Sequence, residues 1–230
     1  MKIIFLNAFE GQIEGVKEFI FDQLKETDIF CFQESYNYSQ SKIFCKDWLK
    51  DYQSISEIKP STQENEFSNS TFINSKYLVT DTQIIKHGDL SVGLGLYNQI
   101  QTSNNLVLNL CNFHGNAWPG DKQDNPDRLR QSQNIIDFFK NLSGPKIIGG
   151  DFNLNLNTKS VAMFEDNGYV NLIKKFNIPT TRNKIAWDQY EIKQLYADFI
   201  FVSPDVKVTS LLVPNLLISD HLPMILEIQI

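Results

Sequence analysis

The chain reads as a mixed α/β (α+β) fold, and three stretches predict it. The sequence opens with an apolar strand, an amphipathic helix and a second apolar strand, the pattern of a parallel crossover unit. Alternating runs divided by polar turns then fill the region from Tyr52 to Asn112, the texture of antiparallel strands. Further on, Lys146-Ile147-Ile148-Gly149-Gly150-Asp151-Phe152-Asn153 follows the breaker pair Gly144-Pro145 and reads as a buried strand that stops at two glycines.

Taken in order, residues 2–6 are β-rich and end at Asn7. Val16, Phe19, Ile20 and Leu24 recur at helical spacing and predict a helix over Glu14–Glu26. Asp28–Gln33 is the second strand and ends at Glu34. Residues 40–50 place Ile43, Phe44, Trp48 and Leu49 on one stripe and predict a second helix. Strands follow at Tyr52–Lys59, Phe67–Asn74, Thr82–His87, Val92–Asn98 and Asn105–His114, with polar Pro60–Glu66 expected as a mobile loop. Pro126–Asn141 returns to helix on Leu129, Ile135, Ile136, Phe138 and Phe139. Ser160–Asn167 is a short helix ended by Gly168, and residues 174–190 are irregular. The last strands are Ala197–Ser203, Val206–Val213 and Met224–Ile230. No repeat, low-complexity tract or linker interrupts the chain, so residues 1–230 are expected to form a single domain.

The totals exclude several classes. A hydrophobic share of 42% over 230 residues supports a full core, yet no run approaches the length of a membrane span. The apolar start turns polar at Asn7, too soon for a signal peptide. Cys31, Cys45 and Cys111 are odd in number, widely spaced and without zinc-ligand spacing, which fits a reducing, cytoplasmic setting. The net charge of −6 counts against a strong grip on long duplex nucleic acid, but not against a short or small phosphorylated substrate. A monomer is the expected state.

Five apolar runs stop at polar groups. Asn7 closes the first, Glu34 the second, His114 the run Leu106–Phe113, and Asp151 with Asn153 the central strand; Ser219-Asp220-His221-Leu222-Pro223 precedes the last. Asp151 and Asn153, two apart, would point the same way on an extended chain and suit the holding of a water or a phosphate oxygen. Each strand end alone is equally readable as a capped terminus; their joint recurrence favours a site. Asp198 is different, because it sits inside the apolar strand Ala-Asp-Phe-Ile-Phe-Val, where a charge needs a partner. A histidine is a suitable one, since a carboxylate behind an imidazole fixes its tautomer. His114 and His221 stand in these clusters, and His87 is expected to stay apart.

Six pieces of the chain resemble, in order, the endonuclease/exonuclease/phosphatase superfamily, which includes DNase I-like nucleases, abasic-site endonucleases, sphingomyelinases and inositol polyphosphate 5-phosphatases. They are Leu6-Asn7, Phe32-Gln33-Glu34-Ser35, Asn112-Phe113-His114-Gly115, Gly150-Asp151-Phe152-Asn153, Tyr196-Ala197-Asp198-Phe199-Ile200-Phe201-Val202-Ser203 and Ser219-Asp220-His221-Leu222-Pro223. Thr180-Thr181-Arg182 is similar to short bacterial versions of the family. The resemblance implies a DNase I-like, four-layer α/β/β/α sandwich of two packed mixed β-sheets flanked by helices, and a divalent-metal phosphoesterase. Carried over by position, Glu34 would be the principal Mg2+ ligand (Mn2+ a substitute), with Asn7 beside it, also toward substrate, and Asp220 completing the metal region. Asp151 would orient or deprotonate the attacking water, and Asn153 would hold the phosphate or that water. Asp198 would brace His221 on the scissile phosphate, and His114 would stabilise the phosphate or protonate the leaving oxygen. Mg2+ takes oxygen ligands, few of them protein carboxylates, and offsets charge on phosphoryl oxygens.

The sequence departs from the pattern in places. Some members carry an acid two residues after the first Asn, where this chain has Phe9; Glu10 would point away, so this end departs from the pattern that offers a second metal a ligand. His114 stands where the abasic-site enzymes carry Tyr, which resembles the DNase I and sphingomyelinase branches more. Lys174, Lys175, Arg182 and Lys184 could clamp phosphates with Trp187 stacking on a base, or could form a solvated basic loop. Arg128 or Arg130 could reach a phosphate, or pair with Asp121, Asp124 and Asp127; Trp118-Pro119-Gly120 reads as a rim turn. Three functions remain open: a phosphodiesterase acting on nucleic acid or a nucleotide, a phosphatase or sphingomyelinase-like hydrolase of a small or lipid phosphate, and a non-catalytic binding module that kept the fold.

Overall fold

The computed structural model describes residues 1–62, 65–86, 93–102, 106–188 and 193–229. The elements are β1 (Lys2–Asn7), a 3-10 turn (Phe9–Gly11), α1 (Val16–Gln23), β2 (Ile29–Gln33), β3 (Tyr36–Asn37), β4 (Lys42–Ile43), β5 (Tyr52–Thr62), β6 (Asn65–Asn74), β7 (Leu78–Ile85), β8 (Leu94–Gln101) and β9 (Val107–His114). They continue with α2 (Pro126–Lys140), β10 (Lys146–Asp151), α3 (Lys159–Asp166), β11 (Val170–Asn171), α4 (Leu172–Lys175), α5 (Lys184–Trp187), β12 (Asp198–Val202), β13 (Lys207–Leu212) and β14 (Met224–Gln229).

Two six-stranded sheets result, ordered β13-β14-β1-β2-β6-β5 and β11-β12-β10-β9-β8-β7. Both are mixed: β1 and β2 run parallel, as do β9 and β10, and the other pairs are antiparallel. Strand alternation divides the apolar residues. Ile3, Phe5, Ile29 and Cys31 join the core between the sheets, whereas Ile4, Leu6, Phe30 and Phe32 pack outward with Val16, Phe19 and Ile20 of α1. Ile135, Ile136 and Phe139 of α2, with Val161 and Phe164 of α3, cover the second sheet. The layers are therefore helix, sheet, sheet, helix, as the resemblance implied. Asn125 and Thr158 cap α2 and α3 through their side chains.

Gly149 admits the Phe5 ring of the opposite sheet, since a Cβ would lie 2.7 Å from it. Polar groups tie the sheets near the ends of β1, β2 and β9: Gln33 Nε2 donates to Asn112 Oδ1 (2.6 Å), and Asn112 Nδ2 to Ser70 O (3.1 Å).

Three expectations fail. No helix spans residues 40–50; β3 and β4 form a two-residue ladder and turns follow, with Trp48 N bonded to Cys45 O. Ile43, Phe44 and Leu49 are buried as their stripe implied, but burial periodicity alone did not reveal the backbone bonding. The loop expected at 60–66 is instead strand as far as Thr62 and from Asn65, which pair with each other; residues 63–64 lie outside the described residues. The segment 174–190 holds the short α5, and α4 closes at its start, each capped by an Asn side chain (Asn183 and Asn171).

Candidate active site

Strand register gathers the polar ends. His114 on β9 and Asp198 on β12 both lie opposite Asp151 on β10, so one row of the second sheet carries all three. In the first sheet Asn7 lies opposite Gln33, and Glu34 follows directly. Asn7 Nδ2 then joins the sheets by donating to Glu34 Oε1 (2.9 Å) and Asp151 Oδ2 (3.0 Å). The loop before β14 is pinned there by Ser219 Oγ, which donates to Asn7 O (2.7 Å), and it brings in Asp220 and His221.

The distances define a cluster with room in it. His221 Nδ1 lies 3.0 and 2.9 Å from the two Asp198 oxygens, and its Nε2 3.7 Å from both Asp151 Oδ2 and Asp220 Oδ2. His114 Nε2 is 3.8 Å from Asp151 Oδ2 and 3.9 Å from Glu34 Oε1. Gaps of that size are too long for direct hydrogen bonds and suit an intervening oxygen.

Asp151 and Asn153 converge, but not by strand alternation. β10 ends at Asp151, and Asn153 adopts a left-handed backbone (φ 55°). Asn153 N donates to Asp151 Oδ1 (2.8 Å) and its Nδ2 to Gly115 O (2.9 Å). Glu34 is also left-handed (φ 48°); such residues cost roughly 1 kcal/mol each and collect at functional sites.

The electrostatics sort the groups. Glu34, with a side chain 33% exposed, is pushed up to about 7 by desolvation and by the Asp220 charge, against the Asn7 hydrogen bond. Desolvation opposes ionisation of Asp151, but His221, Lys122 and His114 outweigh it and lower the carboxyl to about 2. Desolvation also opposes charge on His221, yet Asp198, Asp220 and Asp151 together raise it to about 9. His114 is lowered to about 4 by burial, with the Asp151 charge pulling the other way. The Asp198 carboxyl is raised by burial, against the charge and hydrogen bond of His221.

The donor set can hold a metal cation. Glu34, His114 and Asp151 offer ligand atoms within 4.8 Å of one another, as do Asp151, Asp198 and His221. The second group already satisfies itself through the Asp198–His221 pair. In the first, a Glu34 carboxylate held back from ionising is what a cation would relieve. Asn7 Oδ1 accepts from Phe9 N (3.2 Å), so its amide orients Glu34 and Asp151. Glu10 turns to Gln12 Nε2 (3.0 Å) within the 3-10 turn.

Arg182, expected on a clamp or a solvated loop, is buried instead. It donates to Asp220 Oδ2 (2.7 Å) and Gln194 Oε1 (3.1 Å), and its backbone bridges to His221, so it braces the Asp220 loop. Lys184 is exposed. Trp187 donates through Nε1 to Gln194 O (2.8 Å), with Lys193 Nζ 3.6 Å from its ring centroid. Arg128 does not reach toward a phosphate; it is wholly buried under the rim turn, while Arg130 pairs with Asp127 (2.7 Å) on the surface. His87 lies outside the described residues. Sequence reasoning missed Lys122, which is buried with Nζ 2.5 Å from Asn153 Oδ1. A lysine between Asp121 and Gln123 looks like ordinary surface, and its one signal, a left-handed backbone, is not visible in sequence.

The model of the Endonuclease/Exonuclease/phosphatase family matches residues 8–221. The chain belongs to that family. Family members are metal-dependent phosphoesterases, and the match contains Glu34, His114, Asp151, Asn153, Asp198, Asp220 and His221. A search of curated proteins finds no match. Solved structures share the fold. An endonuclease/exonuclease/phosphatase from Bacteroides vulgatus is 18% identical, with 99% of this chain and 98% of that one covered and a TM-score of 0.77. A mannosyl-6-phosphatase from Bacteroides thetaiotaomicron is 16% identical over the whole of both chains, with a TM-score of 0.73. D. rerio TDP2 complexed with a single-strand DNA product is 17% identical, with 100% and 99% covered and a TM-score of 0.74. Among the described residues no helix is long and apolar enough to cross a membrane.

Proposed function

We propose that the chain is a Mg2+-dependent phosphodiesterase of the nuclease type, which hydrolyses a phosphate ester by in-line attack of water. The observation that carries this reading is the meeting of Glu34, Asp151 and His221, with Asp198 behind His221, from segments spread over the whole chain. Glu34 would be the principal ligand of the cation, with the Asp151 carboxylate converging on the same space and Asp220, held by Arg182, adding negative charge beside it; Asn7 fixes Glu34 and Asp151. When bound, Mg2+ supplies positive charge to the phosphoryl oxygens; Mn2+ would substitute.

The chain's own groups do the rest. Asp151 is ionised at neutral pH and accepts a hydrogen bond from the attacking water, setting its line of approach. His221 is protonated there and offers Nε2–H to a phosphoryl oxygen, while Asp198 holds its Nδ1. His114 stays neutral, so it hydrogen-bonds the phosphate or leaving oxygen instead of carrying charge to it. Asn153 steadies Asp151, its backbone N–H donating to Oδ1 and its Nδ2 standing 3.4 Å from Oδ2.

Exposed Lys184, next to the Arg182 brace, supports a nucleotide or single-stranded nucleic acid, and the similar D. rerio TDP2 structure holds a single-strand DNA product. The net charge of −6 and the similarity to a mannosyl-6-phosphatase support the second reading, a small phosphate monoester. A single-domain monomer is the simplest state for this arrangement. Buried, unpaired Cys31, Cys45 and Cys111, with thiols pushed up by burial, support a reducing compartment such as the cytoplasm.

The test measures hydrolysis of an aryl phosphodiester, an aryl phosphomonoester, DNA, RNA and nucleotides, each with Mg2+, Mn2+ or EDTA. Metal-dependent diester cleavage is expected. Cleavage of the monoester alone would select the phosphatase reading. Silence on every substrate would leave a binding module.

A further inference from the structure

We propose that Lys122 is a positioning residue of this site, whose ammonium holds the Asn153 side chain in the one orientation that turns its amide Nδ2 toward Gly115 O and the Asp151 carboxylate, the group that meets the attacking water. This rests on the phosphoesterase reading. Nζ donates to Asn153 Oδ1 at 2.5 Å, while Asn153 Nδ2 donates to Gly115 O at 2.9 Å and lies 3.4 Å from Asp151 Oδ2. A flipped amide would set N–H against an ammonium, and its oxygen against a carbonyl and a carboxylate. Every neighbour of Asn153 therefore votes for one orientation, and Lys122 is the only cation among these contacts.

Three further observations support this role. Its residue is only 4% exposed, and lysines are seldom fully buried. Burial lowers its pKa to about 8 against the Asp151 charge, so the fold bears a desolvation cost to keep it there. Its backbone is left-handed (φ 55°), a conformation it shares with Glu34 and Asn153.

The fold also builds a mount for it. Lys122 sits on the turn after His114, and that turn wraps a fully buried arginine. Arg128 donates to Asn116 O (3.3 Å), Ala117 O (3.1 Å), Pro119 O (2.5 Å), Gln123 O (2.6 Å) and Asp121 Oδ1 (2.9 Å). Lys122 O accepts from Asn155 N (2.8 Å), which ties the same turn to the segment beyond Asn153. Such a cage fixes a loop at both ends of one short stretch, and the side chain it delivers inward is Lys122.

The experiment compares Lys122→Met, Lys122→Gln, Asn153→Ala and the double variant Lys122→Met/Asn153→Ala on bis(p-nitrophenyl) phosphate with Mg2+. Lys122→Met is expected to lower kcat on the order of 10–100-fold with KM changed by less than about 2-fold. Lys122→Gln, which keeps a donor, should recover part of that loss. The double variant should be no slower than Asn153→Ala, because the lysine acts through the asparagine. Independent, multiplying losses, or full activity in Lys122→Met, would overturn the proposal. A second readout needs no turnover: the Asn153 side-chain amide resonances, assigned by their disappearance in Asn153→Ala, should move in the 1H–15N spectrum of Lys122→Gln. Unmoved resonances would overturn it as well, including where Lys122→Met does not fold. If the natural chain cleaves nothing in the presence of metal, the phosphoesterase reading fails, while the spectrum still decides whether Lys122 holds the amide.

Discussion

Gly150→Ala tests the link between strand packing and the site most directly. Gly150 has φ +134°, and a Cβ built on it would stand 2.1 Å from Phe113 O, a backbone atom of the neighbouring strand. Real Cβ contacts essentially never come under 3.0 Å, so β9 and β10 must part locally by about 0.9 Å or the chain must twist. Gln33 Nε2, at 3.0 Å, restrains the other side. Backbone strain of roughly 1–3 kcal/mol and overpacking of similar size both apply, so a loss of about 2–6 kcal/mol in unfolding free energy is expected. The next residues along the two strands are Asp151 and His114, whose side chains would shift with them. A displacement near 1 Å at reacting groups costs on the order of 100-fold in kcat. Gly120→Ala is the control, since a Cβ there meets nothing within 4 Å. Urea unfolding and diester turnover, measured on both variants below the melting temperature, supply the two numbers. A Gly150→Ala protein with unchanged stability and full turnover would refute the reasoning that register at this glycine sets the catalytic geometry.

Other outcomes follow from the same contacts. Asp198→Asn removes the charge that most raises His221. With His221 at about 9 in the fold and about 6.5 unfolded, its pairing stabilises metal-free protein fully below about pH 6.5 and is lost as pH rises toward 9. Melting temperatures in EDTA should therefore fall over that window in the natural chain and stay flatter in Asp198→Asn; identical profiles would contradict the pairing. Glu34→Gln should abolish metal-dependent turnover. Because the Glu34 carboxyl is raised to about 7, its ionisation weakens the metal-free fold above that pH, so the variant should melt higher than the natural chain at pH 8 in EDTA and gain nothing from Mg2+. Arg128→Met leaves several carbonyls of the rim turn without a donor and should cost roughly 2–4 kcal/mol by urea unfolding.

The sequence by itself determined the strand ends. Asn7, Glu34, His114, Asp151 and Asp198 were legible because each interrupts or closes an apolar run, and a polar group there is conspicuous against a period-2 pattern. The parallel β1–β2 pair was legible in the helix between them, and the resemblance supplied the second sheet. What sequence could not supply was contact between distant parts. The stripe Ile43, Phe44, Leu49 reports burial faithfully, yet turns bury side chains as well as helices do, and only backbone hydrogen bonds tell them apart. Arg128, Lys122 and Arg182 look like solvated cations in the chain. Tertiary structure decided that Arg128 closes the rim turn, that Lys122 meets Asn153 and that Arg182 meets Asp220. Periodicity records which face of an element leaves water, because that is a property of neighbouring residues. The partner of a buried charge is a property of two segments brought together by register, and it exists only once both sheets have closed.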